Sequence, residues 1–381
     1  MSRTLILGGG FGGIAVATEL RAAVPDDHEI VLVDRAERFA MGLRKLWELV
    51  GHATIAEGSR PRAALAAPDV QVVRGEITAI DPAARSAVVD GETIAADQLV
   101  VALGAVPRPD LVDGLSEHGH DIWNAAGVPA AAAALRAFSG GRIVMLIAGA
   151  PYPCPPAPYE CAFLLDEHLT ALGLRSRSQI EVATVQPMLM PNAGKDGSEW
   201  MGARLAERGI GFQVGKKVGG VELGQIVFED SALGFDLLLA VPPHRAPEVV
   251  AAAGLTNDKG WVPVDAGTLR TEHPGVYAVG DVTQIVLANG LPLPKAGVMA
   301  EQEGAAVAAA IAAEVRGGPD APPFAGTGYC FIEMGTDSAA LFQGDFYAEP
   351  APVLTIEEAS AARAAEKRAF EVDRLARWFE V

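Results

Sequence analysis

Residues Arg3 to Asp34 read RTLILGGGFGGIAVATELRAAVPDDHEIVLVD, and the order of the parts in this stretch decides the fold. An apolar, β-like run from Arg3 to Leu7 enters a glycine turn, Gly8 to Gly13. A segment of helical composition, Ile14 to Ala23, stops before Pro25, and a second apolar run, Glu29 to Val33, ends at Asp34. Strand, turn, helix and strand in this order make a βαβ unit, whose crossover is right-handed and whose strands are parallel. Gly8, Gly10 and Gly13 occupy the fixed places of G-x-G-x-x-G. The first permits the tight turn, the second lets a pyrophosphate approach the backbone, and the third lets the helix pack on the sheet, with the anion at the helix N-terminus. Asp34 follows Gly13 by twenty-one residues, where a carboxylate would accept from ribose hydroxyls. A mere tight turn requires none of this context, so Gly8, Gly10, Phe11, Gly12, Gly13, Asp34 and Arg35 are assigned to a dinucleotide site.

The whole chain has 381 residues, enough for two or three domains with a real core. Its 30 Lys plus Arg stand against 48 Asp plus Glu, a net charge of -18 that repels nucleic-acid phosphate and anionic lipid headgroups. Nucleic acid is therefore excluded as a partner. Half the residues are hydrophobic, with 42 Gly and 26 Pro, as in a compact, turn-rich protein. No stretch reaches the ~18 consecutive apolar residues of a bilayer span; Gly304 to Ala313 is bounded by Glu303 and Glu314. The first strand begins almost at the N-terminus, and cleavage of a signal peptide would remove cofactor residues, so the expectation is a cytoplasmic protein. Three cysteines make no disulfide framework, and any disulfide here is expected to be redox chemistry.

Strand candidates at Val70 to Arg74, Ile77 to Ile80, Ser86 to Val89 and Gln98 to Leu103 continue the first unit, the middle pair as an antiparallel meander. After the Pro-rich Val106 to Asp110 a second α/β segment follows: a strand at Arg142 to Ile147, a proline cluster, a helix at about Tyr159 to Leu172 and a strand at Ile180 to Val185. Phe235 to Ala240 and Val276 to Val279 read as later strands, Pro294 to Val315 contains a long Ala-rich helix, and a charged helix is expected at about Thr355 to Phe379. The expected fold class is α/β, with two Rossmann-like dinucleotide-binding domains plus a smaller C-terminal α+β region. Residues 1–107 and 241–318 would form the first, 108–240 the second, and 319–381 a C-terminal interface region.

LVVALGA at 99–105, followed by Pro107, and TLRTEHPGVYAVGD at 268–281 resemble the downstream motifs of the two-dinucleotide-binding-domain flavoproteins. That resemblance implies FAD in the first domain, with Ala102, Gly104, Gly280 and Asp281 at the cofactor and Asp281 at its ribityl and pyrophosphate. The second domain lacks the NAD fingerprint: IAGAPYP at 147–153 carries prolines where later glycines would stand, and proline has no N–H to donate. A normal nicotinamide site is not expected. Nor does a C-x-x-x-x-C pair follow the first βαβ unit.

Pro151 to Cys161 reads PYPCPPAPYEC, a rigid turn running into a helix start. A helix N-terminus favours negative charge and lowers a nearby thiol's pKa, which makes Cys154 the candidate nucleophile. The plainer reading of a lone Cys is a small buried hydrophobe. PYPCPPAPYE, the stretch VPPHRAPEVVAAAGLTNDKGWVPVD at 241–265, LPKAGVMAEQEG at 293–304 and Tyr329-Cys330 resemble the flavin subunit of flavocytochrome c sulfide dehydrogenase and the sulfide:quinone oxidoreductases, nearly end to end. The resemblance implies a redox-active disulfide between Cys154 and Cys330 that takes up sulfide as a persulfide. It also implies Glu160 as a base, and Lys295 with Ala296 beside the flavin. Cys161 matches no cysteine of that family and reads as a helix-packing residue, its closeness to Cys154 leaving a sulfur-relay role open. The absence of cysteine from Arg35 to Gly51 rules out a flavin thioether there, so FAD is expected to be non-covalent.

The implied partners are a small sulfur substrate and a quinone or electron-transfer protein as acceptor; a homodimer is compatible with the sequence. Val372, Leu375 and Phe379, with Trp378 alongside, form an apolar stripe that would line a quinone site, touch a membrane peripherally or dock on the protein itself. His118, His120, His168 and His244 show no metal-ligand spacing and are expected at the surface or in packing. Two other functions stay open at this point: an NAD(P)H-dependent flavin or quinone reductase, and a flavin-bearing subunit or redox-sensing interaction module.

Overall fold

The computed structural model describes residues 2–379. Its first sheet is five-stranded and parallel, in the spatial order Val276–Ala278, Gln98–Val101, Arg3–Leu7, Glu29–Asp34, Val70–Arg74. These apolar strands are buried on both faces, as parallel sheets are. Ile6, Leu32, Val100 and Tyr277 face the helices Phe11–Ala23 and Gly297–Arg316. The two helices approach closely because Gly304 lies against Gly12: a Cβ at Gly304 would sit 2.5 Å from the Gly12 carbonyl oxygen. Leu5, Val31, Leu99 and Val276 face the other way, onto Ile77, Ile80, Ala87 and Val89 of the expected antiparallel meander.

A second parallel sheet runs His120–Asp121, Leu237–Val241, Gly141–Ile147, Ser178–Thr184, Gly211–Gln213. Helices Val128–Ala137 and Ala157–Ala171 cover one face through Ile143, Met145, Val182, Phe163 and Leu165. On the other, Val144, Leu146 and Leu238 pack against Val221, Ile226 and Phe228 of a small antiparallel sheet.

The C-terminal region is α+β as expected, but its helix starts later than the expected Thr355. Thr327–Gly335, Ser338–Asp345 and Val353–Ser360 form an antiparallel sheet, and the helix is Ala361–Trp378. Residues 355–360, expected as helix, are strand because Thr355 and Ile356 pair with Gln343 and Phe342, and the Ser360 side chain caps the helix start by accepting from the Arg363 N–H. The apolar stripe turns inward. Leu375, Trp378 and Phe379 are buried, and Trp378 and Phe379 meet Phe39 across 5.9 and 5.7 Å, while Val372 alone of the four is exposed. The stripe docks on its own chain. Among the described residues no helix is long and apolar enough to cross a membrane.

Candidate active site

All three parts of the fold converge on one cavity of about 430 Å³. The first sheet contributes the glycine turn. Gly8 has φ of +105°, and a Cβ on Gly13 would stand 1.8 Å from the Gly8 carbonyl oxygen, so the turn folds back on the helix it starts. At Gly10, which caps the Phe11–Ala23 helix, a Cβ would meet nothing within 4 Å. That open position, with helix N–H groups behind it, is a cradle of the kind a pyrophosphate fills. Gly10, Phe11, Gly12, Ala102, Gly104, Gly280, Asp281, Lys295 and Ala296 all line the cavity.

Gly8, Gly13, Asp34 and Arg35 do not line it. Asp34 accepts from the Gly9 N–H at 2.7 Å and lies 3.4 Å from Arg62; the exposed Arg35 lies 3.6 Å from Glu76. Arg62, unrecognised in the sequence, does reach the cavity, donating to the Gly9 carbonyl at 2.9 Å.

Lys295 is buried rather than solvent-facing. Its ammonium donates to the carbonyls of Asp281 at 2.7 Å and Thr283 at 2.8 Å and lies 3.6 Å from the centre of the Trp261 ring. Burial lowers its pKa to about 8, against the opposing pull of Asp281 and Glu303. His244, expected at the surface or in packing, is buried on the cavity wall, with its ring nitrogen 2.7 Å from the Pro242 carbonyl; burial lowers its pKa to about 4.

Cys154 and Cys330 line this same cavity as free thiols, Cys154 exposed and Cys330 half-buried, whereas Cys161 is buried in the core of the second sheet. Cys154 adopts a left-handed backbone, φ +57°, and its N–H donates to the Lys295 carbonyl at 2.6 Å, tying the proline turn to the Lys295 strap. The helix that follows starts at Ala157. The net shift of the Cys154 pKa is upward, against the lowered value expected at a helix start. The surrounding protein pushes the Cys154 pKa up, reinforced by the Glu160 charge and Cys330, while Lys367 and Lys45 act in the opposite sense. Cys330 is pushed up to about 12, first by burial and then by Glu160.

Glu160 sits between helix and strand as part of a buried charged group. It accepts from Lys367 Nζ at 2.5 Å and from the Glu333 N–H at 2.7 Å; Lys367 also reaches the Glu333 carboxylate at 2.8 Å, and the Trp47 indole N–H donates to that carboxylate at 2.9 Å. Burial raises the Glu160 pKa, with Lys367 opposing and Glu333 adding. Two carboxylates sharing one ammonium in low dielectric leave a site that readily holds a proton. Neither Lys367 nor Glu333 was singled out from the sequence. Aromatic side chains Tyr329, Phe331 and Phe370 complete this end of the cavity.

The fold and this cavity define an FAD-dependent oxidoreductase with two Rossmann-like domains. The chain belongs to the pyridine nucleotide-disulphide oxidoreductase family, whose model matches residues 2–309. It is similar to the sulfide-quinone reductase of Aquifex aeolicus, 27% identical over 379 residues that cover 91% of this chain and 83% of that protein. The X-ray structure of the sulfide:quinone oxidoreductase from Aquifex aeolicus superposes with a TM-score of 0.89 at 26% identity, covering 99% of this chain and 92% of that one. Demethylphylloquinone reductase NdbB of Synechocystis sp. is 28% identical over 359 residues, covering 89% of this chain and 86% of that protein.

Proposed function

We propose that the chain oxidises sulfide, or a related persulfide or thiol, through Cys154 and Cys330 and passes the electrons by way of FAD to a quinone or an electron-transfer protein. The observation that carries this reading is the meeting of two cysteines, 154 and 330, in one cavity with Gly10, Asp281, Lys295 and Ala296. The similarity to sulfide-quinone reductase and to a demethylphylloquinone reductase supports a quinone as acceptor.

With Cys154 and Cys330 oxidised to a disulfide, hydrosulfide attacks one sulfur: a new S–S bond forms to that cysteine, the Cys–Cys bond breaks, and the other cysteine leaves as a thiolate. The substrate sulfur is then a persulfide at the zero-valent level. Bound FAD would supply the two-electron acceptor that balances re-formation of the Cys154–Cys330 disulfide, the outer persulfide sulfur leaving at the zero-valent level. Glu160, sharing the Lys367 ammonium with Glu333, holds the proton released from the sulfur acid. The Lys295 ammonium, fixed by two carbonyls, keeps positive charge at the cofactor wall without changing position. Gly10 to Gly12 and Arg62 would hold the pyrophosphate end, while Gly8, Gly13 and Asp34 hold the turn itself. In this reading residues 1–107 with 241–318 bind FAD, 108–240 carry the Cys154 turn, and 319–381 bring Cys330 and Lys367.

Anaerobic mixing of the FAD-loaded protein with sulfide, followed by the flavin absorbance, tests the assignment. Fast loss of absorbance in the parent and its suppression in both Cys154→Ser and Cys330→Ser is the expected result. Full retention of the sulfide reaction in Cys330→Ser contradicts the paired mechanism.

A further inference from the structure

We propose that Lys45 is the positioning and charge-stabilising residue of Cys154: it anchors the wall beside this cysteine and stabilises anionic sulfur, a thiolate or a bound hydrosulfide, at its Sγ. The proposal deepens the thiol chemistry above and rests on Cys154 being the reactive thiol.

Lys45 lies on the short helix Arg44–Val50 and lines the cavity together with Cys154 and Trp123. Its ammonium donates to the Trp123 carbonyl at 2.6 Å and lies 5.8 Å from the Trp123 ring centre. The Trp123 indole N–H donates in turn to the Pro153 carbonyl at 2.8 Å, one residue before Cys154, and Tyr152 meets the Trp123 ring edge-on at 6.1 Å. A continuous set of contacts therefore runs from Lys45 through Trp123 to the turn that carries the thiol.

The charge pattern singles Lys45 out among the cavity's cations. Lys367 is engaged by Glu160 and Glu333 at 2.5 and 2.8 Å. Lys295 is bound to two carbonyls over Trp261. Arg62 is tied to the Gly9 carbonyl and lies 3.4 Å from Asp34. The neighbouring Arg44 is paired with Glu371 at 2.6 Å. Among the described residues Lys45 is in no salt bridge, and its one hydrogen bond is to a neutral carbonyl. Burial lowers the Lys45 pKa, and the charges that face it at longer range, Cys154, Asp121 and Asp281, oppose that shift. His244, held neutral by burial, adds no competing cation. From the other side Cys154 faces Glu160, Cys330 and Lys367. On that side Glu160 raises the Cys154 pKa by more than Lys367 lowers it, so this group disfavours an anion; Lys45 adds a positive charge that no carboxylate engages.

The test uses the FAD-loaded Cys330→Ser protein, in which Cys154 is the one cavity thiol. Iodoacetamide alkylation of Cys154 is followed by peptide mass spectrometry from pH 6.5 to 9.5 with Lys45 intact, with Lys45→Arg and with Lys45→Met. Lys45→Met is expected to slow alkylation at a fixed neutral pH by about tenfold, the equivalent of one unit in the thiol pKa, with the pH profile displaced upward. Lys45→Arg should stay within about threefold of the parent, because it restores the charge. Equal profiles for Lys45 and Lys45→Met overturn the proposal, as does Lys45→Arg reacting as slowly as Lys45→Met. Trp123→Phe keeps the lysine and removes the indole donor; a slowing as large as that of Lys45→Met would assign the effect to wall packing and also overturn the charge role. If Lys45→Met fails to retain flavin, Lys45→Gln is read in its place. No sulfide enters this assay, so a parent inert to sulfide defeats the donor assignment of the preceding section without touching the alkylation result.

Discussion

Replacing Lys367 by Met removes the single cation between two buried carboxylates. The side chains of Lys367, Glu160 and Glu333 retain 8%, 4% and 9% of their exposure, so solvent screens the group little. Removing one partner of such a group strands charge in low dielectric, which costs about 3–5 kcal/mol. Glu160 relieves part of this by taking a proton, since burial already raises its pKa. A carboxyl whose folded pKa is raised stabilises the fold below its unfolded pKa and loses that contribution as pH rises through the folded value. The Lys367→Met penalty should therefore be smallest near pH 5 and grow toward pH 9. Urea unfolding of the FAD-loaded protein at pH 5, 7 and 9, followed by circular dichroism, measures it. Adding Glu160→Gln to Lys367→Met should recover about 1–3 kcal/mol relative to the sum of the single effects, because the two residues touch. A Lys367→Met protein within about 1 kcal/mol of the parent at every pH, or strict additivity in the double variant, would refute the reasoning.

Gly10→Val should abolish flavin retention while leaving the apo fold intact, because its side chain enters open space in the cradle, whereas Gly13→Ala should destabilise the fold itself by about 1–3 kcal/mol through its 1.8 Å clash with Gly8; flavin-to-protein absorbance ratios and thermal melts separate the two. His244, whose pKa falls from 6.5 to about 4 in the fold, stabilises it above pH 6.5 and loses that contribution as pH drops. His244→Asn should remove up to about 3 kcal/mol of the parent's stability loss between pH 7 and 4, measured by urea midpoints. Glu303, raised from 4.5 to about 8, works with the opposite sign: its contribution is lost as pH rises through 8. Glu303→Gln keeps an acceptor for the Gly280 N–H and should flatten the stability profile between pH 4.5 and 8 by up to about 5 kcal/mol.

The βαβ start, the two parallel sheets and the meander were legible because apolar runs, glycine positions and prolines are local signals. A C-terminal α+β region was expected, but the position of its last strand was not legible. Glu357, Glu358 and the Ala-rich stretch after Ser360 have helical composition, and only pairing of Thr355 and Ile356 with the preceding strand makes 353–360 extended. The glycine turn, the Asp281 and Lys295 segments and both cavity cysteines were read from motif and resemblance. Lys45, Arg62, Glu333 and Lys367 were missed because a single charged residue on a short or amphipathic element reads as solvated; their partners lie far along the chain, 207 residues away for Lys367 and Glu160. The thiol expectation failed for a related reason. A helix start is visible in sequence, but the surrounding protein and the Glu160 carboxylate that raise the thiol's pKa belong to tertiary structure.

The central claim is tested most directly by anaerobic titration of the oxidised, FAD-loaded protein with stoichiometric sulfide, with NADH in a parallel cuvette and the flavin absorbance as readout. The account predicts fast loss of the flavin band with sulfide and none with NADH. Loss with NADH alone would contradict it, moving the donor from the Cys154–Cys330 cavity to a nicotinamide site.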